Sequence, residues 1–362
     1  MRALRAILVA LGLCVALAAV PTVASASIGL GVVVSANPAN VTPNVASGAV
    51  YKLFQVGGTM YAGGAFSSVS TPAGVSPGGT FARSNLVAFN ANLASGKVTE
   101  LALTGGRLLA GGTFPGKLRA VNPASGANTG YLNLGIGGGV ASNAGPVEVY
   151  RFAVNPAGTR LVAVGNFITV GGQTRCRAFM LTLGATASVN AWCYPPLQNL
   201  CAASSLPDYM RDVDFSTDGS WFAFVSTGYV PRSGGIGRDL CDATAGFETD
   251  VASPARPTWI NYTGGDTLHS VAATDAAVCV QGHQRWLDNP QGRDAAGPGA
   301  VSRPGIGAIH PTTGLALPWN PTKERGVGGK DLYVTPAGLW VGSDTNRIGG
   351  ETRRRIALLP VP

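Results

Sequence analysis

Charge is scarce in this chain. Only 12% of its 362 residues are Asp, Glu, Lys or Arg, against roughly 25% in an average soluble protein. With 46% hydrophobic residues, that shortage excludes intrinsic disorder and coiled coil, both of which need far more charge. Histidine is rarer still, at three residues, and there is no CxxC or HxxxH spacing, so no zinc signature exists. Acids are almost missing from residues 27–207, which hold only Glu100 and Glu148 beside ten bases. Long uninterrupted segments are lacking too: 51 Gly and 24 Pro break the chain every few residues. Short strands and tight turns are the expectation, with little helix.

The formal charge is +8, from 21 Arg and 5 Lys against 18 acids. Apart from Arg353, Arg354 and Arg355 the arginines are scattered singly, which points to surface solvation and not to nucleic acid. Residues 1–26 have the form of a secretory signal peptide: Arg2 and Arg5, an apolar stretch over 7–20, then Ala24-Ser25-Ala26 before Ser27. That stretch is too short for a good membrane span, and no later one is long enough. The expectation is a secreted mature protein, monomeric, without a membrane anchor.

Export gives the cysteines meaning. Once Cys14 is removed with the leader, Cys176, Cys193, Cys201, Cys241 and Cys279 remain, so at least one thiol is left over. Leu183-Gly184-Ala185-Thr186 has the form of a two-residue type II′ hairpin turn. In that register Cys176 faces Cys193 on a non-hydrogen-bonded rung, where Cα atoms lie about 4.5 Å apart, within disulfide reach. Cys201 and Cys241 form the second expected pair by elimination. Cys279, between Val278 and Val280, has the setting of a small buried apolar residue.

What the chain does have is a repeat. An apolar strand, a turn and a second, Gly-rich strand recur six times, with Leu53, Leu101, Phe152, Val213, Val271 and Leu332 at equivalent positions. Asn155-Pro156-Ala157-Gly158, Ser216-Thr217-Asp218-Gly219 and Thr335-Pro336-Ala337-Gly338 join the two strands in three copies, each with Gly where a hairpin turn takes positive φ. A third strand follows in several copies, as at 85–89, 118–121, 178–181, 306–309 and 356–359. A β-sheet unit of about 50–60 residues repeated in this way is the pattern of a β-propeller. The fold expected is all-β: one propeller over residues 27–362 with six blades, or seven if two copies are merged. The strand 31–35 would complete the last blade and close the ring, removing exposed edges.

The segments Met60 to Phe66 and Leu108 to Gly126 resemble the pattern LYVGGxF…R…LAALDPxTG of the delta-60-repeat class of secreted bacterial propellers. Residues 257–267, 282–286, 303–307, 319–321 and 342–346 are similar to a group of exported bacterial propeller proteins. The resemblance implies a propeller and export, and it transfers no catalytic residue. Where that group tends to have an aromatic residue, this chain has Cys279, which implies a packing role there.

Two motifs dissolve on inspection. Gly74-Val75-Ser76-Pro77-Gly78 matches GxSxG, but the elbow needs a backbone N–H after the Ser, and Pro77 has none. Asp212, Asp214 and Asp218 suggest a calcium loop, but its sixth position must be Gly and is Thr217. Propeller topology offers more. Loops entering a first strand and leaving a second strand open on one face. That places Asp266, His283, Arg285, Trp286, Asp344 and Arg347, from copies five and six, on one rim. Acid, base, hydrogen-bond donors and an aromatic plate suit a polar ligand such as a sugar. The competing reading is that each Asp ties down its own turn and Trp286 packs between blades.

The function expected is an exported, non-catalytic binding module for carbohydrate or cell-envelope material, with no cofactor and no metal. The alternative is a propeller enzyme of glycosidase, lyase or quinone-dependent dehydrogenase type. In that case His283 is the general acid or base and Asp266 or Asp344 orients it. Residues 208–362 carry 16 of the 18 acids, all three His and five of the six Trp. Chemistry is therefore expected there, with the first three copies as scaffold.

Overall fold

Alternation of apolar and polar residues, interrupted by Gly-containing turns, builds antiparallel sheets throughout the computed structural model. It describes residues 30–38, 42–45, 49–56, 59–65, 68–70, 79–82, 98–122, 127–140, 145–175, 177–203 and 205–362. The expected signal peptide, 1–26, and the expected strand 85–89 lie outside these. Apart from one short 3-10 turn, Pro195–Gln198, the described residues form strands and loops.

Six principal sheets follow in chain order. The first pairs Ala49–Val56 with Thr59–Ala65. The second joins Val98–Thr104, Arg107–Gly112 and Leu118–Val121; the third joins Glu148–Val154, Arg160–Asn166, Ala178–Thr182 and Ser188–Val189. The fourth is built from Tyr209–Phe215, Trp221–Thr227, Ala243–Glu248 and Trp259–Tyr262. The fifth joins Leu268–Ala273, Val278–Gly282 and Ile306–Ile309, and the sixth Gly329–Thr335, Gly338–Ser343 and Ile356–Pro360. The first strands of these sheets touch one another in chain order, and the first strand of the sixth touches that of the first.

Each first strand carries one β-bulge at the same place. The unpaired residue is Tyr51, Thr99, Tyr150, Arg211, His269 or Lys330, two positions before the equivalent residue of the repeat. The partner strand explains the recurring glycines. In five of the six sheets a Gly lies opposite the bulge. A Cβ at Gly165 would sit 2.1 Å from the Glu148 carbonyl oxygen, and one at Gly282 2.2 Å from that of Thr267. Only glycine allows so close a backbone approach. The fourth sheet has Ser226 and Val225 there instead.

The core lies between sheets and not within them. Leu109 and Leu118 of the second sheet pack on Phe152, Leu161 and Phe179 of the third. Phe222, Phe224 and Phe247 of the fourth pack on Val162 and Met180 of the third, with Trp192 fully buried among the three rings. Similar clusters join the fourth to the fifth, the fifth to the sixth and the sixth to the first. Cys279 is buried in the cluster between the fifth and sixth sheets, where burial pushes its thiol up to about 12.

Two expectations are corrected. The hairpin after the third strand of the third sheet pairs Leu181 with Val189 and Thr182 with Ser188. That is one residue out of the register that would set Cys176 opposite Cys193, and a one-residue slip changes face. Gly184 does not take the positive φ of a type II′ turn. Burial of Trp192 against the fourth sheet draws the chain off the hairpin, and Cys193 instead donates its N–H to Ala252 O. Cys193 is a free thiol; Cys176 lies outside the described residues. Residues 31–35 are likewise not a strand. Ser35 N–H donates to Pro360 O at 2.7 Å, but the reciprocal bond is impossible because Pro360 has no N–H. Leu30 and Val34 nonetheless pack on the last two sheets.

The Cys201–Cys241 disulfide is present, closing a separation of 40 residues. A loop of that size contributes about 4 kcal/mol in the chain-entropy account. The double variant Cys201→Ala/Cys241→Ala is expected to lose stability of that order in urea unfolding, while Cys193→Ser leaves the midpoint nearly unchanged.

Candidate functional site

The six bulges bring chemically active side chains to one place. Residues next after the bulges include Glu100, Arg151, Asp212, Ser270 and Asp331, one from each of the second to sixth sheets. The charged ones among them bind the sheets to one another. Asp212 accepts from Val271 N–H at 3.0 Å, and Asp214 from Ala273 N–H at 2.9 Å. Asp331 accepts from Leu53 N–H, joining the sixth sheet to the first. Arg151 donates to Thr99 O and to Glu100, and its Nη2 reaches Lys330 O in the sixth sheet at 2.8 Å. A side chain of the third sheet that bonds the sixth shows how closely the first strands converge. Asp212 and Asp214 therefore hold sheets together. Among the described residues no group of His, Cys, Asp and Glu has the arrangement of a metal site.

The bulge residues form a second tier. Tyr150 packs on Tyr209 with ring centroids 4.8 Å apart, and the Arg211 guanidinium lies over the Tyr209 ring at 4.3 Å. His269 and Lys330 follow on the next two first strands. Burial and the neighbouring cations Arg211 and Lys330 hold the His269 imidazole well below its usual range. Burial also lowers Arg211 and Lys330.

The rim expected from the sequence adjoins this tier only in part. His283 and His269 have ring centroids 6.0 Å apart. His283 Nε2 accepts from Thr267 N–H at 3.2 Å. Burial lowers its pKa, opposed by Asp266 and by a bond to the Val327 backbone. Its hydrogen bonds thus go to backbone groups, and the pairing with Asp266 or Asp344 required of a general base is not made. Asp266 is buried and spent elsewhere. Its Oδ2 accepts from Arg285 N at 3.0 Å and Nε at 2.8 Å, and its Oδ1 from Arg285 Nη2 and Arg325 Nη2, both at 3.0 Å. Arg285 also stacks over Trp286 at 4.5 Å and reaches Asp294 at 3.3 Å. Asp266, Arg285, Trp286 and Arg325 thus form one bracket that fixes the loops around the fifth sheet. Asp344 accepts from Gly328 N–H at 3.3 Å on the approach to the sixth sheet. Arg347 is exposed, donates only to Gly350 O among the described residues, and stands apart from the rest.

Sequence reasoning thus found the loops and missed Tyr150, Arg211, His269 and Lys330. The signal was available. Two positions before each equivalent apolar residue stand Tyr, Thr, Tyr, Arg, His and Lys, in strands otherwise dominated by apolar residues. Both acids of residues 27–207, Glu100 and Glu148, are buried on first strands.

No family model matches the sequence, and no curated protein matches it. Among solved structures, the chain is similar to the β-propeller domain of Cps50 (Swd1) from Myceliophteria thermophila. Identity there is 9% and the TM-score 0.33, over 61% of this chain and 63% of that one. It is also similar to the computationally designed Ika8 protein at 10% identity and a TM-score of 0.36, over 90% of this chain and 100% of that one. Likeness at this level leaves the fold to rest on the strand pairing and contacts above.

Removing the Asp266 carboxylate leaves Arg285 and Arg325 without a counter-ion. Breaking a buried pair costs about 3–5 kcal/mol, less where, as here, the cations are partly exposed. Asp266→Ala is expected to lose about 2 kcal/mol in denaturant unfolding, and Arg347→Ala less than about 0.5 kcal/mol.

The buried acids also set a pH dependence. Burial is the first cause that pushes Asp212 up to about 8 and Asp242 to about 7. Both keep their protons in the fold at pH values where the unfolded chain, with carboxylates near roughly 3.9, has lost them. Their contribution is complete below that value and is lost as pH rises through the folded values. From pH 7 to 8, where the lowered His269 and His283 are neutral, stability is expected to fall by roughly 1 kcal/mol. Asp212→Asn is expected to flatten the change in urea midpoint across that interval.

Proposed function

We propose that this chain is an exported six-bladed β-propeller that acts as a non-catalytic binding module for carbohydrate or cell-envelope material. The six principal sheets are the blades, and their first strands surround a central axis. The observation that carries this reading is the convergence of those strands: neighbours touch in turn, the sixth touches the first, and Arg151 bonds across to Lys330 O. The packing of core residues between sheets supports it as well, since propeller blades stack face to face. At one end of the axis the bulge residues and the loops around His283 and Trp286 combine hydrogen-bonding groups with aromatic rings, the composition of a polar-ligand site. The Cys201–Cys241 disulfide is compatible with an oxidising compartment. No described helix is long and apolar enough to cross a membrane.

The secreted mature protein, immobilised and exposed to a panel of glycans and envelope fractions, is expected to retain at least one fraction and to release it unaltered. Absence of retention across the panel removes the binding reading. Cleavage of a retained glycan transfers the case to the enzyme reading.

A further inference from the structure

The tier of bulge residues has an electrostatic surplus that the fold does not settle. Among the described residues the Arg211 guanidinium makes no hydrogen bond and no ion pair. Its Nε is buried without an acceptor, and its one recorded contact is the face of Tyr209. Lys330 Nζ and the His269 ring nitrogens likewise have no hydrogen-bond partner among the described residues. The buried hydroxyl of Ser270, next after His269, has none. Other cations of the region are satisfied: Arg151 by Glu100 and two carbonyls, Arg325 by Asp266 and His283 O, Lys323 by Glu324 O.

Buried polar groups are nearly always paired, and a desolvated cation without a partner is costly. The neighbouring carboxylates do not meet the need. Asp242 is occupied by the N–H groups of Gly228 and Tyr229 and by the Thr267 hydroxyl. Asp344 takes the Gly328 N–H, and Glu148 makes no ion pair with Arg211. Two cations and a polarisable imidazole on three successive first strands, with Tyr150 and Tyr209 beside them, make a clustered donor set. An anion entering there supplies the half-buried Arg211 and Lys330 with charge-assisted bonds that no described group of the fold makes to them.

We propose that Arg211, His269 and Lys330 form a binding site for an anionic group, a carboxylate or a phosphate, borne on the ligand at the mouth of the propeller axis. This rests on the binding-module reading and narrows it to acidic ligands. The Tyr150 and Tyr209 rings supply a surface against which the sugar or polyol part lies. Arg211 offers a planar fork from the fourth sheet and Lys330 a point charge from the sixth, so the anion is gripped from either side of His269.

The test is calorimetric titration of the full mature chain with D-glucuronate, with glycerol phosphate and with D-glucose. The proposal expects one of the two anions to bind and glucose to bind at least ten-fold more weakly; the tighter anion identifies carboxylate or phosphate as the group. Arg211→Gln and Lys330→Gln are each expected to weaken that anion at least ten-fold, and the exposed Arg354→Gln to leave it unchanged. Arg211→Gln breaks no hydrogen bond among the described residues and gives up only the stack on Tyr209, so its melting temperature is expected to stay close to the parent value. If it does not fold, Lys330→Gln decides alone. Equal affinity for glucose, or unchanged anion affinity in the variants, overturns the proposal. Retention of an envelope fraction that persists in Arg211→Gln overturns it too, while leaving the binding module standing. Loss of all retention and all anion binding removes both.

Discussion

The bulge on each first strand is the constraint from which the rest of the structure follows. One extra residue is accommodated in the pairing of the first two strands, and it needs close backbone contact from the partner. Glycine at Gly165 and Gly282 permits that contact, so the glycine surplus of the sequence is tied to this feature. The bulge also divides the labour along the strand. The residue after it faces neighbouring sheets, as Asp212 and Asp331 do through Val271 and Leu53. The bulged residue itself is released from pairing and becomes available to solvent or ligand. A single local irregularity, repeated, therefore supplies both the fastening of the molecule and its candidate site.

Much of this was legible in the sequence, for identifiable reasons. The equivalence of Leu53, Leu101, Phe152, Val213, Val271 and Leu332 reappears in the pairing, where each is the second residue after the bulge. The turns at Gly158 and Gly219 take positive φ as their composition demands. The Cys201–Cys241 bond emerged by elimination. What failed were matters of register and partner. The expected Cys176–Cys193 rung depended on a turn type, and a turn of different length moved it by one residue. No local pattern announces that Trp192 will be captured by three Phe rings of the next sheet and carry Cys193 with it.

The candidate site was legible only at its margin. Asp266 acts on His283 by its charge, but a spacing argument does not reveal how their bonds are shared out. Asp266 is engaged by two arginines, one of which, Arg325, lies 59 residues away. The bracket so formed is architecture, and it steadies the loops beside the unpaired cations. Arg211 and Lys330 escaped notice because each looks unremarkable alone; only their equivalent positions on first strands, with His269 between them, give them meaning.

Pro360 marks the place where the two ends of the chain meet, and it withholds one hydrogen bond there. Elsewhere the first two strands of a sheet are laced by several consecutive backbone pairs beyond the bulge. At this junction Ser35 N–H bonds Pro360 O, Val45 N–H bonds Arg354 O and Ala276 N–H bonds Leu30 O, and side-chain packing of Leu30 and Val34 adds to these few bonds. The molecule therefore has a seam. Strain applied to it, whether by heat or by force on the chain, meets fewer backbone bonds along that line than within the six sheets. The N-terminal segment is the latch that peels first.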